Sequence, residues 1–176
     1  IASAYRTPNL AELSSKGIHE TRFEVGDAAL VPEQSLELDF SLHYHKDHLT
    51  LDLAVFNNRI NNFIFITPTP DTVPGGLPVY RYRQADALLQ GGEAGIHLHP
   101  FPLPWLHLVS SYAFVTGIKE QGGNLPLIPP GRINSELRVE KEQAAFLRHA
   151  FFAVNASYAF RQARTATDEE STAAWF

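Results

Sequence analysis

Between Ser35 and His45 the chain alternates without a break: Leu36, Leu38, Phe40, Leu42 and Tyr44 fall on one side, Ser35, Glu37, Asp39, Ser41, His43 and His45 on the other. A period of two marks a strand with one apolar and one polar face. After a polar turn at Lys46 and Asp47 the alternation returns, with Leu49, Leu51, Leu53 and Val55 opposite Thr50 and Asp52, and it continues through Phe63 to Ile66. The two runs predict a hairpin with a short connection.

A Pro- and Gly-rich loop is expected from Pro68 to Pro78, followed by a strand from Val79 into the Leu88 region. Gly91 and Gly92 are expected to interrupt it as a bulge or bend. Ala94, Ile96 and Leu98 then oppose Glu93, His97 and His99, until prolines at 100, 102 and 104 end the run. Further strands are predicted from Trp105 to Val115, around Ile133 to Glu140, and around Phe152 to Arg161, with a loop at Thr116 to Pro130 and a polar tail from Thr165 to Thr172.

Short connections near Lys46, Pro102 and Gln143 thus alternate with long ones at Ser14 to Pro32, Pro68 to Pro78, Thr116 to Pro130 and the tail. Outer-membrane barrels show this asymmetry, with tight periplasmic turns and longer external loops. The strands read at about twice the ~5 or 6 residues usual in soluble sheets. Aromatic residues at strand ends, among them Tyr44, Phe65, Tyr82, Trp105 and Tyr158, suit girdles at two lipid interfaces. The same alternation also suits a half-buried antiparallel sandwich, which would bury Leu36, Leu38, Phe40 and Leu42 in a core instead of facing lipid.

Composition narrows the partners. Charged residues make up 19% of the chain and the net charge is -5, with no basic block to track a phosphate backbone, so no nucleic-acid partner is expected. The absence of Cys excludes thiolate metal sites, disulfides and Cys nucleophiles, and suits passage through an oxidising compartment. No apolar run reaches the ~18 residues of a membrane helix, a criterion to which membrane strands are blind. A chain that begins at Ile1 and contains no Met reads as a piece of a longer protein.

Several short motifs are ordered along the chain. Ala4-Tyr5-Arg6-Thr7-Pro8-Asn9-Leu10-Ala11-Glu12-Leu13 resembles the R-x-P-x-x-x-E-L segment of TonB-dependent receptors. Gly17-Ile18-His19 and Phe23-Glu24-Val25-Gly26 continue the likeness. Leu30-Val31-Pro32-Glu33-Gln34-Ser35 is similar to the family's L-x-P-E-x-S, and Val55 to Ile64, with Asn57 and Ile60, to its F-x-N-x-I-x-x-x-I. Tyr82 to Ala87, followed by Gly91-Gly92-Glu93, matches a looser family pattern in which Gln84 replaces the commoner Asn. Ile128 to Arg132, including Pro130, is similar to the segment that re-enters the barrel.

This resemblance implies an all-β, antiparallel transmembrane barrel of roughly 22 strands, of which about seven or eight are present over residues 1–176. It further implies a Gram-negative outer-membrane receptor for active uptake of a scarce nutrient, most often an iron-siderophore complex, with zinc or haem as the runner-up. The implied partners are TonB, an N-terminal plug domain that lies outside this sequence, and outer-membrane lipid. The plug would carry the contact to TonB. A soluble ligand-binding sandwich and a passive barrel are the alternatives. A Phe176 terminus resembles a barrel-assembly signal, but Asp168, Glu169 and Glu170 precede it, so it is read as a boundary.

No catalytic triad order, phosphate-binding Gly loop or paired catalytic carboxylate motif is visible; no enzyme and no resident cofactor are expected. His19, near Glu20, Glu24 and Asp27 in a long external loop, is the candidate metal and substrate contact, weighed against a solvated histidine. Arg81 and Arg83 are candidates for attracting an anionic chelate if they face the lumen, or for pairing plug carboxylates. Arg6, Pro8, Glu12, Pro32, Glu33, Ser35, Asn57, Ile60, Gly92, Glu93 and Pro130 are expected to be structural. His43/His45 and His97/His99, with His48, His107 and His149, gather at the short-turn end. With no third and fourth ligand visible there, they are expected to be polar rim residues.

Overall fold

A computed structural model describes residues 1–144 and 146–176. One antiparallel sheet dominates, in the order β1 (Ala2–Arg6), β4 (Glu33–Lys46), β5 (Leu49–Thr72), β6 (Pro78–Leu98), β7 (Leu106–Lys119), β8 (Arg132–Ala144) and β9 (Leu147–Ala159). Each strand from β4 to β9 pairs with the next in sequence, and β1 and β9 lie at opposite edges. The meander is therefore open, built from neighbours joined by hairpins.

The register fixes the faces. Phe40 opposes Val55, Leu42 opposes Leu53 and Tyr44 opposes Leu51, so the apolar rows of β4 and β5 coincide. That row continues across Leu53/Ala94 and Val55/Gly92 to Tyr112 and Phe114 on β7, and through Leu108/Leu137 to Val154 on β9. These side chains are uncovered: Phe40 is 60% exposed, Leu38 49% and Phe152 69%. A sandwich would have buried them, whereas a barrel wall turns such a row to lipid and its other face to a wet interior. The polar face carries Glu37, Asp39, His43, Asp52, Glu93, His97, Asn134 and Glu136.

Three sequence expectations are corrected. Pro68 to Pro78 is not one long loop: β5 runs to Thr72 and β6 restarts at Pro78, leaving 73–77 as the turn. Pro70 is tolerated because it falls inside a register shift between Pro68 and Thr72, where no ladder donor is required. Gly91 and Gly92 do not break β6, which pairs continuously through them with Phe56 and Val55. Gly91 is instead a close approach, since a Cβ there would lie 2.6 Å from the Phe56 ring and 2.5 Å from the Phe114 carbonyl oxygen.

The real bulge lies in β5, between Ile60 and Phe63. Asn62 takes a left-handed conformation (φ 58°), which Asn accepts more readily than most residues, and its N–H donates to the Asp86 carboxylate at 2.9 Å.

The expected loop from Ser14 to Pro32 is likewise no plain loop: it holds a hairpin of β2 (Lys16–His19) and β3 (Arg22–Val25), entered from a short helix, α1 (Leu10–Ser14). Asn9 caps α1, accepting from the Glu12 N–H, while the Glu12 side chain accepts from the Asn9 N–H, a closed capping box. β3 then pairs in parallel with the upper part of β6, Phe23 opposite Val79 and Val25 opposite Arg81. Gly26 lets the chain turn back, because a Cβ there would meet the Ser14 amide nitrogen at 2.6 Å.

Candidate functional site

The outer end of the sheet, opposite the tight turns, is organised by one ion-pair node. Arg6, at the end of β1, donates from Nε and Nη2 to the two oxygens of Glu33, both at 2.7 Å, and from Nη1 to Glu12 at 2.9 and 3.0 Å. Glu33 also accepts from the Ile64 N–H at 2.7 Å, just above the point where β4 stops pairing with β5. Both carboxylates are buried. Carboxylates taken out of water need this many donors, and the planar guanidinium supplies most of them.

Some of the remaining motif residues lie near this node and others farther down the sheet. Pro8 precedes the cap of α1, Pro32 precedes β4, and Ser35 lies opposite both Ala4 and Ile60. Ile60 is buried; Asn57 accepts from the Gln90 amide at 2.7 Å, and Gln84 clamps the backbone of Val31 through bonds of 2.7 and 3.0 Å. Gly92 sits beside Val55 and Phe114.

A second cluster lies in the β2–β3 hairpin. Glu24 is buried, accepts from Arg22 at 2.7 Å and from the Tyr82 hydroxyl at 3.1 Å, and lies 3.8 Å from His19 Nδ1. Arg22 in turn stacks over Tyr80, 5.2 Å from the ring centre. His19 is exposed, and Glu20 forms the exposed turn at φ 54°. Glu24 is thus occupied by donors, and the hairpin holds His19 near it without assembling a set of free ligands.

Arg81 and Arg83 are both exposed and alternate with Tyr80 and Tyr82. By strand parity they share the polar face of β6 with Glu93. Farther down that face a groove of about 610 Å³ is lined by Asp39, Phe56, Glu93, Pro130 and Arg132 among others, so acidic and basic side chains of distant segments face one space.

At the tight-turn end, where the sequence gathers several histidines, three of the side chains come within ligand distance of one another. His97 Nε2 lies 2.6 Å from His99 Nε2, which lies 3.2 Å from His107 Nδ1. The third nitrogen donor, not visible in the sequence spacing, is His107 on β7. The register brings it there: Leu98 opposes Leu108, so the next pair outward is 99 with 107. His43 instead pairs with Asp52 and His45 with Thr50.

A β-barrel family model described as TonB dependent receptor-like matches residues 1–176. Among solved structures the chain resembles the copper transporter OprC (20% identity, TM-score 0.79, covering 98% of this chain and 26% of that one). It also resembles the siderophore receptor PirA from Acinetobacter baumannii (17%, TM-score 0.64, 98% and 30%). A mutant of the ferric enterobactin receptor PfeA from Pseudomonas aeruginosa aligns similarly (18%, TM-score 0.64, 98% and 28%). The chain therefore spans between a quarter and a third of the length of these neighbours, and at such identities they speak for the fold. Receptors of this family are transporters and not enzymes. With a whole-length family match and a two-faced strand meander in place, the chain belongs to the TonB-dependent receptors, within their β-barrel domain.

Proposed function

We propose that the complete protein is an outer-membrane receptor of a Gram-negative bacterium that takes up a metal-bearing nutrient, most simply an anionic ferric siderophore, by coupling to TonB. Residues 1–176 form part of its barrel wall, and an N-terminal plug domain fills the lumen and carries the contact to TonB. The observation that carries this reading is the sheet's division into an exposed apolar face and a polar face that holds the groove between Asp39, Glu93 and Arg132. The apolar face contacts lipid, and the polar face lines the path of the cargo.

Arg81 and Arg83 favour an anionic cargo, because exposed cations near the outer mouth raise the local concentration of an anionic chelate. Zinc or haem capture at His19, Glu20 and Glu24 is the second reading, prompted by His19 standing 3.8 Å from Glu24. The salt-bridged state of Glu24 weighs against it.

Uptake of labelled ferric siderophore, haem and zinc is the test, with full-length receptor and with TonB present or deleted. Ferric-siderophore uptake that requires TonB and falls several-fold in an Arg81→Glu/Arg83→Glu variant supports the reading. Uptake indifferent to TonB would replace it with a passive barrel, and TonB-dependent uptake of zinc or haem alone would move the cargo to the second reading.

A further inference from the structure

We propose that His97, His99 and His107 form a binding site for a borderline divalent transition-metal ion, zinc or copper(II), at the tight-turn end of the polar face. The proposal goes beyond the uptake reading. It stands on the geometry of three side chains whether the cargo is a chelate or a bare ion.

His97 and His99 are two residues apart at the end of β6, so both point to the same side. Leu98 pairs with Leu108, which sets His107 across from His99 on the neighbouring strand. One nitrogen from each ring lies within 4.8 Å of the others. The three rings are partly buried and packed on one another, with centroids 4.1 Å apart for His97/His99 and 4.3 Å for His99/His107.

Neutral imidazoles suit zinc, copper and nickel. Tetrahedral coordination at ordinary metal–nitrogen lengths places ligand nitrogens about 3.3 Å from each other. The His99/His107 separation of 3.2 Å already meets that figure, and the 2.6 Å His97/His99 separation needs the rings to open by well under an ångström. Without a cation, His99 Nε2 faces two other ring nitrogens, an arrangement that only protons shared between bases can relieve. A metal relieves both contacts at once.

A carboxylate stands behind the site. Glu140 on β8 lies 3.6 Å from His107 Nε2, the ring nitrogen that does not face His99. A carboxylate on the far nitrogen of a ligating histidine fixes its tautomer and makes it a better donor. Arg138 approaches the same carboxylate at 3.2 Å and holds it in place. The fourth coordination position is left to water or to a group carried by the cargo, as in open rather than structural sites. An ion held here sits at the opposite end of the sheet from Arg81 and Arg83, close to the tight turns.

The test uses tag-free, metal-stripped, full-length receptor in detergent, titrated with zinc, cobalt(II) and copper(II). The expected result is one more equivalent of zinc bound by the wild type than by His97→Asn/His99→Asn/His107→Asn. Affinity at that site should fall at least tenfold in His107→Asn and be unchanged in His149→Asn, on β9. Folding is checked by the heat-dependent gel mobility of the barrel. The wild type supplies a measurement that needs no variant: copper(II) electron paramagnetic resonance should show three coupled imidazole nitrogens at one site. Equal zinc stoichiometry and affinity in wild type and triple variant, or a copper spectrum with fewer than two coupled nitrogens at every site, would overturn the proposal.

Discussion

Arg6 and Glu33 lie 27 residues apart in the chain and meet through two parallel hydrogen bonds of 2.7 Å, while the same guanidinium reaches Glu12. The pair joins the end of β1 to the start of β4, and Glu12 ties α1 to both. Two motifs separated in sequence, carried by three elements of structure, thus share one node.

Removing that node should loosen the segment it holds. In Arg6→Ala, Glu12 and Glu33 stay buried with fewer donors, and the outer end of the sheet should lose about 1 to 3 kcal/mol, discounted because Arg6 itself is half exposed. Limited proteolysis of the receptor should then cut faster between residues 10 and 32, with the barrel's heat-dependent gel mobility retained. Unchanged cleavage would show that the β3–β6 pairing alone secures this segment.

The assignment of faces is testable on adjacent residues. Phe40→Arg places a charge on the apolar row and should cost about 2 to 4 kcal/mol near the bilayer midplane. Ser41→Arg, one residue on, faces the polar side and should stay within about 1 kcal/mol of wild type. Equilibrium folding of the receptor into lipid vesicles measures both. Reversed effects would invert the faces.

Gly91 offers a packing test. Gly91→Ala forces a methyl against the Phe114 carbonyl and the Phe56 ring, and should destabilise by about 1 to 3 kcal/mol in urea unfolding. Adding Phe56→Ala should recover only part of that loss, since the carbonyl contact is backbone. Full recovery would mean that the ring alone excludes a side chain there.

His99, one residue beyond β6, should leave a mark on the pH dependence. Loss of solvation, and then the fields of His97, His107 and His48, lower its pKa below 6.5, with Glu140 acting weakly in the opposite sense. The unfolded chain therefore binds a proton at a pH where the folded one does not. The stability His99 contributes is full above 6.5 and is lost as pH falls from there through the lowered value. In metal-free protein His99→Asn should flatten this acid-side loss relative to wild type. Parallel pH–stability curves would show that the ring keeps its ordinary titration when folded.

The strand meander was legible because period two survives on both faces from Leu36 to Tyr44 and from Leu49 to Val55, and the register repeats it. Local composition misled where pairing overrides it. Pro68 to Pro78 looks like a loop, yet the 24 residues of β5 carry into it as far as Thr72, since the neighbouring β6 supplies partners and the register shift absorbs Pro70. The β5 bulge was invisible because two asparagines signal polarity before they signal a left-handed residue. His107 was placed at the short-turn end but not recognised as a third ligand: strand faces can be read from one sequence, but which residues oppose each other depends on the 99–105 connection, which sequence leaves free.

On the proposed uptake function, the parallel seam between β3 and β6 bears on how cargo would meet the receptor. A surface segment that is capped, ion-paired and stitched to a neighbouring strand before anything arrives has already given up its conformational freedom. Capture on this side of the mouth then has little left to order, and association there should resemble docking onto a rigid tile more than the closing of a flexible hand.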